Sequence, residues 1–169
     1  MSGIIYEIRN EMLKPEDWAR ASELGNAENQ INGMDYDSEI LNADERVEAI
    51  DYFFSHLFPN NSFEIVNNKS NETAYIKFVG NIRELYEQWI ANIKRKADEI
   101  NIEDMDFGLY EVHCACDEPF GLSSKFYIPD WTGCTGSAGD FMDYLRHRSE
   151  ESDGEPVVFY VGQVFDYYF

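Results

Sequence analysis

The C-terminal run from Val157 to Phe169 constrains the fold more than any other segment. Phe159, Tyr160, Phe165, Tyr167, Tyr168 and Phe169 place six rings in eleven residues, with valines between them and Gly162 as an interruption. Valine and aromatic residues suit a pleated surface that is at least half buried. Alternation sends successive side chains to opposite faces. The run therefore reads as a hairpin or as one long strand bulged at Gly162. Outward tyrosines would suit a partner protein, but the reading favoured here is a strand whose two faces are both core.

The rest of the chain supplies elements to pack against it. Residues 3–9 read as a strand, and Pro15 opens a short helix carrying Trp18 and Leu24, stopped by Gly25. Residues 25–40, rich in Asn, Gly and Asp, read as a long irregular connection. A helix follows, capped by Asn42 or Asp44, with Val47, Ile50, Phe54 and Leu57 on one face and Pro59 at its end. Residues 63–66 and 74–79 form a hairpin around a polar loop. The strongest helix begins at Asn81, with Ile82, Leu85, Trp89, Ile93 and Ile100 in a stripe. Strands are expected at 108–116 and 124–128, a Gly-rich loop from Trp131 to Gly139, a short helix over 140–148 and an exposed acidic loop over 149–156. The strands are joined by turns or single helices without regular β-α-β alternation. The fold class expected is α+β: one domain over residues 1–169, with a mainly antiparallel sheet of about five to seven strands and three or four helices.

The charge is extreme. Among 169 residues, 33 acids stand against 13 bases, a formal charge of −20. Residues 1–60 hold 13 acids and 4 bases, residues 61–100 hold 6 of each, and residues 101–169 hold 14 and 3. Such a chain repels nucleic acid and anionic membranes and favours a basic protein as partner. Three cysteines (Cys114, Cys116 and Cys134) are too few and too oddly spaced for a disulfide framework and read as reduced, buried core thiols, which points to the cytoplasm. The first residues lack a basic stretch followed by a long apolar run, so no signal peptide is read there. No run of about 18 apolar residues suggests a membrane span.

Motifs for chemistry are weak. His113, Cys114, Cys116, Cys134 and His147 include zinc-ligand types, but C-x-C on a strand would turn His113 away from the thiols. Gly133, Gly136 and Gly139 precede a helix without the lysine of a phosphate loop, and Asp140 stands where a phosphate would sit. The spacing of Asp35, Asp37 and Glu39 fails the calcium-loop pattern at the sixth and twelfth positions. No metal or cofactor is expected.

Two function classes follow. The first is an acidic interaction module, in the form of a nucleic-acid-mimicking inhibitor of a basic nucleic-acid-binding protein or nuclease. Duplex DNA carries one charge per ~1.7 Å, so −20 matches roughly ten base pairs of phosphate. In composition alone the chain is similar to small acidic inhibitors of phages and mobile elements, and to immunity proteins that neutralise basic toxins. The partner-binding residues expected are Asp35, Asp37 and Glu39; Asp44, Glu48 and Asp51 on the second helix; Glu103, Asp104 and Asp106; and Glu150, Glu151 and Asp153. The second class is a small enzyme or small-molecule binder built on the Cys134–Gly136 loop, with His113 as a base.

Overall fold

The computed structural model describes residues 2–24, 30–31, 34–35 and 37–168. In chain order the strands are β1 (Ser2–Arg9), β2 (Gln30–Ile31), β3 (Met34–Asp35), β4 (Asp37–Ile40), β5 (Phe63–Asn67), β6 (Ala74–Phe78), β7 (Lys125–Tyr127), β8 (Thr135–Gly136) and β9 (Val157–Tyr168). The helices are α1 (Ala43–Tyr52), α2 (Ile82–Asp98), α3 (Met105–Asp117) and α4 (Ala138–Glu151). Seven strands make one sheet in the order β5-β6-β9-β1-β7-β8, with β4 also paired to β9. All its pairings are antiparallel except β1 with β7. The fold is α+β, as expected.

β9 organises the sheet. It pairs along one side with β1, from Tyr160 to Tyr168. On its other side it pairs first with β6, over Val157–Val161, and then with β4, over Phe165–Tyr168. Of the two readings open for the C-terminal run, the single bulged strand is the one found. The register steps from Ile8 opposite Val161 to Tyr6 opposite Val164, so β9 carries one extra residue beside Glu7. That residue changes the phase of alternation. Before the bulge Val157, Phe159 and Val161 face the helices. After it Val164 faces them, while Phe165 and Tyr167 face the opposite layer. The aromatic run is thus core on both faces: Phe159, Phe165 and Tyr167 are buried, and Tyr168 at the rim is exposed. Phe169 lies outside the described residues.

The helical face holds the larger core. Asn42 caps α1 through a reciprocal capping box with Glu45. α1 then runs into a widened turn over Phe53–Leu57, in which Phe58 N–H donates to the carbonyl of Phe53, five residues back. This turn brings Phe53, Phe54 and Phe58 together against Tyr6, Phe63, Phe126, Phe141 and Phe159. Leu57 is exposed because the wider turn rotates it away from its ideal helical position, and Val47, in the regular part of α1, is only partly buried. α2 is capped by Asn81, whose side chain accepts from Glu84 N–H, and α4 by Ser137 with Asp140. The opposite face of the sheet is covered by the segment 13–24, where Ala19 and Leu24 pack on Ile5, Tyr127, Phe165 and Tyr167.

Four expectations are corrected. The Pro15 helix is two separate 3-10 turns, Pro15–Asp17 and Ala21–Glu23, each one turn long. Within 25–40 the described residues include β4, a sheet strand, and the β2–β3 pair. Residues 108–116 belong to helix α3, not to a strand. Here α3 packs on α2: Trp89 Nε1 donates to the Ala115 carbonyl at 2.6 Å, Lys96 pairs with Glu111 at 2.8 Å, and Gly108 lies against Ile100. A Cβ at position 108 would come within 3.0 Å of Ile100, so the glycine permits the close approach. Last, α4 continues through Glu151, which shortens the expected acidic loop to a turn over Ser152–Pro156.

The buried tyrosines give the fold a pH dependence. Burial pushes the Tyr144 phenol up to about 12, against the pull of Arg148, and burial also raises Tyr6, Tyr127 and Tyr167. A phenol raised in the fold contributes stability that is complete below the unfolded value of 10.0 and is lost as pH rises through the folded one. Burial lowers the Arg46 guanidinium to about 10, with Glu7 opposing, and that group acts in the opposite sense above pH 10. The tyrosines outnumber it. The urea midpoint should therefore fall between pH 10 and 12, and a midpoint that holds or rises across that window would refute this account.

Candidate functional site

The expected acidic residues are surface features of three regions. Asp44, Glu48 and Asp51 are exposed on α1. Their spacing of four and three residues puts them in one row, on the side away from buried Ile50 and Phe54. Glu39 is exposed on β4, just before that helix; the side chains of Asp35 and Asp37 lie outside the described residues. Glu103 and Asp104 lie in a 3-10 turn leading into α3, and Asp106 in its first turn. Asn101 accepts from Asp104 N–H there, and acids at this end also suit the helix dipole. Glu150 and Glu151 form the last turn of α4, and Asp153 follows in a left-handed turn residue, φ 50°.

Few cations offset these acids. Arg9 pairs with Glu7, Arg83 with Glu87, Arg95 with Glu99, Lys96 with Glu111, and Arg146 with Asp143 and Glu150. Arg148 is held by Asn10, Tyr144 and the Val158 carbonyl. By contrast, among the described residues no ion pair reaches Asp44, Glu48, Glu103, Asp104, Asp106, Glu151 or Asp153. Asp51 has only His56, at 4.0 Å. Seven of the thirteen lysine and arginine side chains are thus engaged by other groups of the protein, none of them by these acids, and the acidic row on α1 and the acidic entry to α3 face solvent without a lysine or arginine partner among the described residues.

One charged cluster is buried. Glu7, 0% exposed, sits opposite the β9 bulge and accepts from Gln163 N–H at 2.8 Å, from Ala19 N–H at 2.9 Å and from the Arg9 guanidinium at 2.7 Å. Arg46, 2% exposed, comes from α1 and donates through Nε to the Gly162 carbonyl at 2.7 Å and through Nη2 to the Val161 carbonyl at 2.9 Å. These backbone groups lie where β9 passes from β6 to β4, so Glu7 and Arg46 replace the missing ladder partners. Arg46 also stacks on Trp18, 4.2 Å from the ring centroid, and Trp18 Nε1 donates to Thr73. Gly162 is required here, since a Cβ would come within 2.4 Å of Glu7 Oε1. The cluster joins the covering segment, α1 and the sheet. Its enclosure and its fully assigned carboxylate make it a structural clip.

The Cys134–Gly136 loop lacks the arrangement an active thiol needs. Cys134 is exposed, and its neighbour Thr132 hydrogen-bonds to its backbone carbonyl. His113 is on α3 and pairs with Asp117 on the same helix at 3.3 Å. His147 lies against Trp131, ring centroids 4.4 Å apart and tilted by 45°. At the start of α4, Asp140 accepts from Ser137 N–H at 2.8 Å and fills the space beside Gly136. The loop's own carboxylate therefore occupies the position of an incoming anion. The expectation of buried core cysteines is corrected: Cys116 and Cys134 are exposed and Cys114 is half-buried. For Cys116 the reason is that a helix, not a strand, carries it, and this turns it outward. Among the described residues no group of three or more His, Cys, Asp or Glu side chains is placed to hold a metal ion, and no helix is long and apolar enough to cross a membrane.

Comparison with protein-family models, curated proteins and solved structures found no match. The surface itself therefore carries the functional argument. One surface feature escapes a strand reading of 108–116. On the observed helix, Met105, Leu109 and Cys116 are exposed along one line with Ile102. Their spacing of three, four and seven residues is the signal that would have found them.

Proposed function

We propose that the protein is an acidic interaction module that binds a basic protein, acting as a nucleic-acid mimic that occupies the basic groove of a nucleic-acid-binding protein or nuclease. The observation that supports this reading is the solvent-facing row Asp44, Glu48 and Asp51, together with Glu103, Asp104 and Asp106, in a chain where 33 acids face 13 bases and the ion pairs of the lysines and arginines among the described residues go to other carboxylates. A rigid scaffold holding uncompensated carboxylates presents a fixed negative field, which steers a basic partner and disfavours acidic ones.

The test is capture of binding proteins from a cell lysate at low and high salt, followed by affinity measurement on the protein recovered. The expected partner has a nucleic-acid-binding surface, is released at high salt and is competed by duplex DNA. Lysine at Asp44, Glu48, Glu103 and Asp104 together should weaken binding more than tenfold, since each exposed charge pair contributes about 0.2–1 kcal/mol and reversal adds repulsion. Binding indifferent to salt and to these four reversals would overturn the proposal.

A further inference from the structure

Helix α3 and the 3-10 turn before it present an apolar line that stays exposed at most of its positions among the described residues. Ile102 is 86% exposed, Met105 50% and Leu109 48%, and the line continues through half-buried Val112 to exposed Cys116. On α3 itself the steps from Met105 to Leu109, Val112 and Cys116 are four, three and four, and Ile102 extends the line from the 3-10 turn three residues before, across the non-helical Asp104. That is the seam by which one helix receives another. The inner side of α3, with Gly108, Glu111 and Ala115, is already used against α2, so the seam lies beside that contact and opens outward.

The charges around the seam define its occupant. Asp106, His113 and Asp117 run along its outer side at helical spacing, between the seam and the exposed rings of Phe107 and Tyr110, and Glu103 and Asp104 stand at its start. α3 carries no lysine or arginine. Exposed apolar residues of this size, rimmed by charge, are the anatomy of a protein interface. A second copy of this chain would bring carboxylates against carboxylates at a net charge of −20 each. An anionic lipid surface is repelled in the same way. A basic helix satisfies both the apolar line and its rim.

We infer that the α3 seam of Ile102, Met105, Leu109, Val112 and Cys116 docks an amphipathic α-helix of the partner, with an apolar line at heptad spacing flanked by lysine or arginine. This deepens the acidic-module reading and rests on it: the carboxylates attract and orient the partner, and the seam supplies the contact that burial strengthens.

The test uses the full chain and two fluorescent synthetic peptides of identical composition. One has leucine at heptad a and d positions and lysine or arginine at e and g; in the other the order is scrambled so that no seam forms. The ordered peptide should bind at least tenfold more tightly than the scrambled one. The double variant Met105→Ser/Leu109→Ser should remove that advantage while its circular dichroism and melting temperature stay unchanged, because both positions are solvent-facing. Asp106→Lys with Asp117→Lys should reduce the salt dependence. Equal binding of both peptides would overturn the seam and leave the acidic-module reading standing. Binding of neither at low salt would remove both. Concentration-dependent dimerisation, or binding to phospholipid vesicles, that is lost in the serine variant would assign the seam to a different occupant and overturn the inference.

Discussion

Replacing Arg46 by alanine is expected to cost about 3–5 kcal/mol of folding stability, because it breaks a buried charged cluster and strands the groups left behind. The Val161 and Gly162 carbonyls would lose their donors at a bulge where no neighbouring strand can replace them. The Trp18 ring would lose the guanidinium above it, and Glu7 a nearby cation. For a chain of this size the melting temperature should fall by roughly 10 °C. Arg46→Lys is the sharper control. It keeps the charge but not the planar fork that reaches two carbonyls while lying on an indole, so it should recover less than half of the loss. Thermal and urea unfolding followed by tryptophan fluorescence measure both. If Arg46→Ala melts with the parent, the clip does not hold the two faces together. If lysine restores full stability, charge alone was sufficient.

Phe141→Ala should be comparably damaging, at about 3–5 kcal/mol, for a different reason. Its ring is fully buried and stacks on Phe126 at 4.4 Å, and it approaches Phe54, Phe58, Phe63 and Phe159 within 6.4 Å. Those rings come from the widened turn after α1, from β5, β7 and β9, so no single element can relax to fill the space. Phe141→Leu keeps most of the volume and should cost less than half as much. Urea unfolding would decide it, and a loss below about 1 kcal/mol in the alanine variant would show that the aromatic cluster collapses around the gap. Neither substitution touches the exposed acids, so the binding of folded protein to a basic partner should be unchanged in both. That separates stability from function in the same experiment.

Local chemistry read from the sequence held wherever an element is determined by its own residues. Asn42 and Asn81 are caps because their short side chains accept from N–H groups three residues on. The hairpin of β5 and β6 follows from β-branched and aromatic residues around a polar loop. The burial of the C-terminal run on both faces follows from the alternation of its rings, while its being one bulged strand and not a hairpin follows from its pairing with β1, β6 and β4. The acidic row on α1 was legible for the same reason: helix period and charge are both local.

What failed depended on contacts made at long range. Residues 108–116 carry apolar residues at a strand's spacing, through Tyr110, Val112 and Cys114, and at a helix's, through Met105, Leu109, Val112 and Cys116. Period alone could not choose. α2 chooses, through the Trp89 and Lys96 contacts and the space that Gly108 leaves for Ile100. That choice exposes Cys116 and creates the apolar seam. The buried pair of Glu7 and Arg46 was equally hidden, since in sequence each is one more charged residue. They are buried because β9 leaves β6 and joins β4 at the bulge, which strands backbone groups that only a carboxylate and a guanidinium from elsewhere in the chain can satisfy. The sequence by itself determined the charge, the helix starts near Asn42 and Asn81 and the two-faced burial of the C-terminal run, all of which need only neighbours. The tertiary structure decided which carboxylates stay uncompensated, which helix face stays bare and which charges the core absorbs, because each is a matter of what another part of the chain brings within reach.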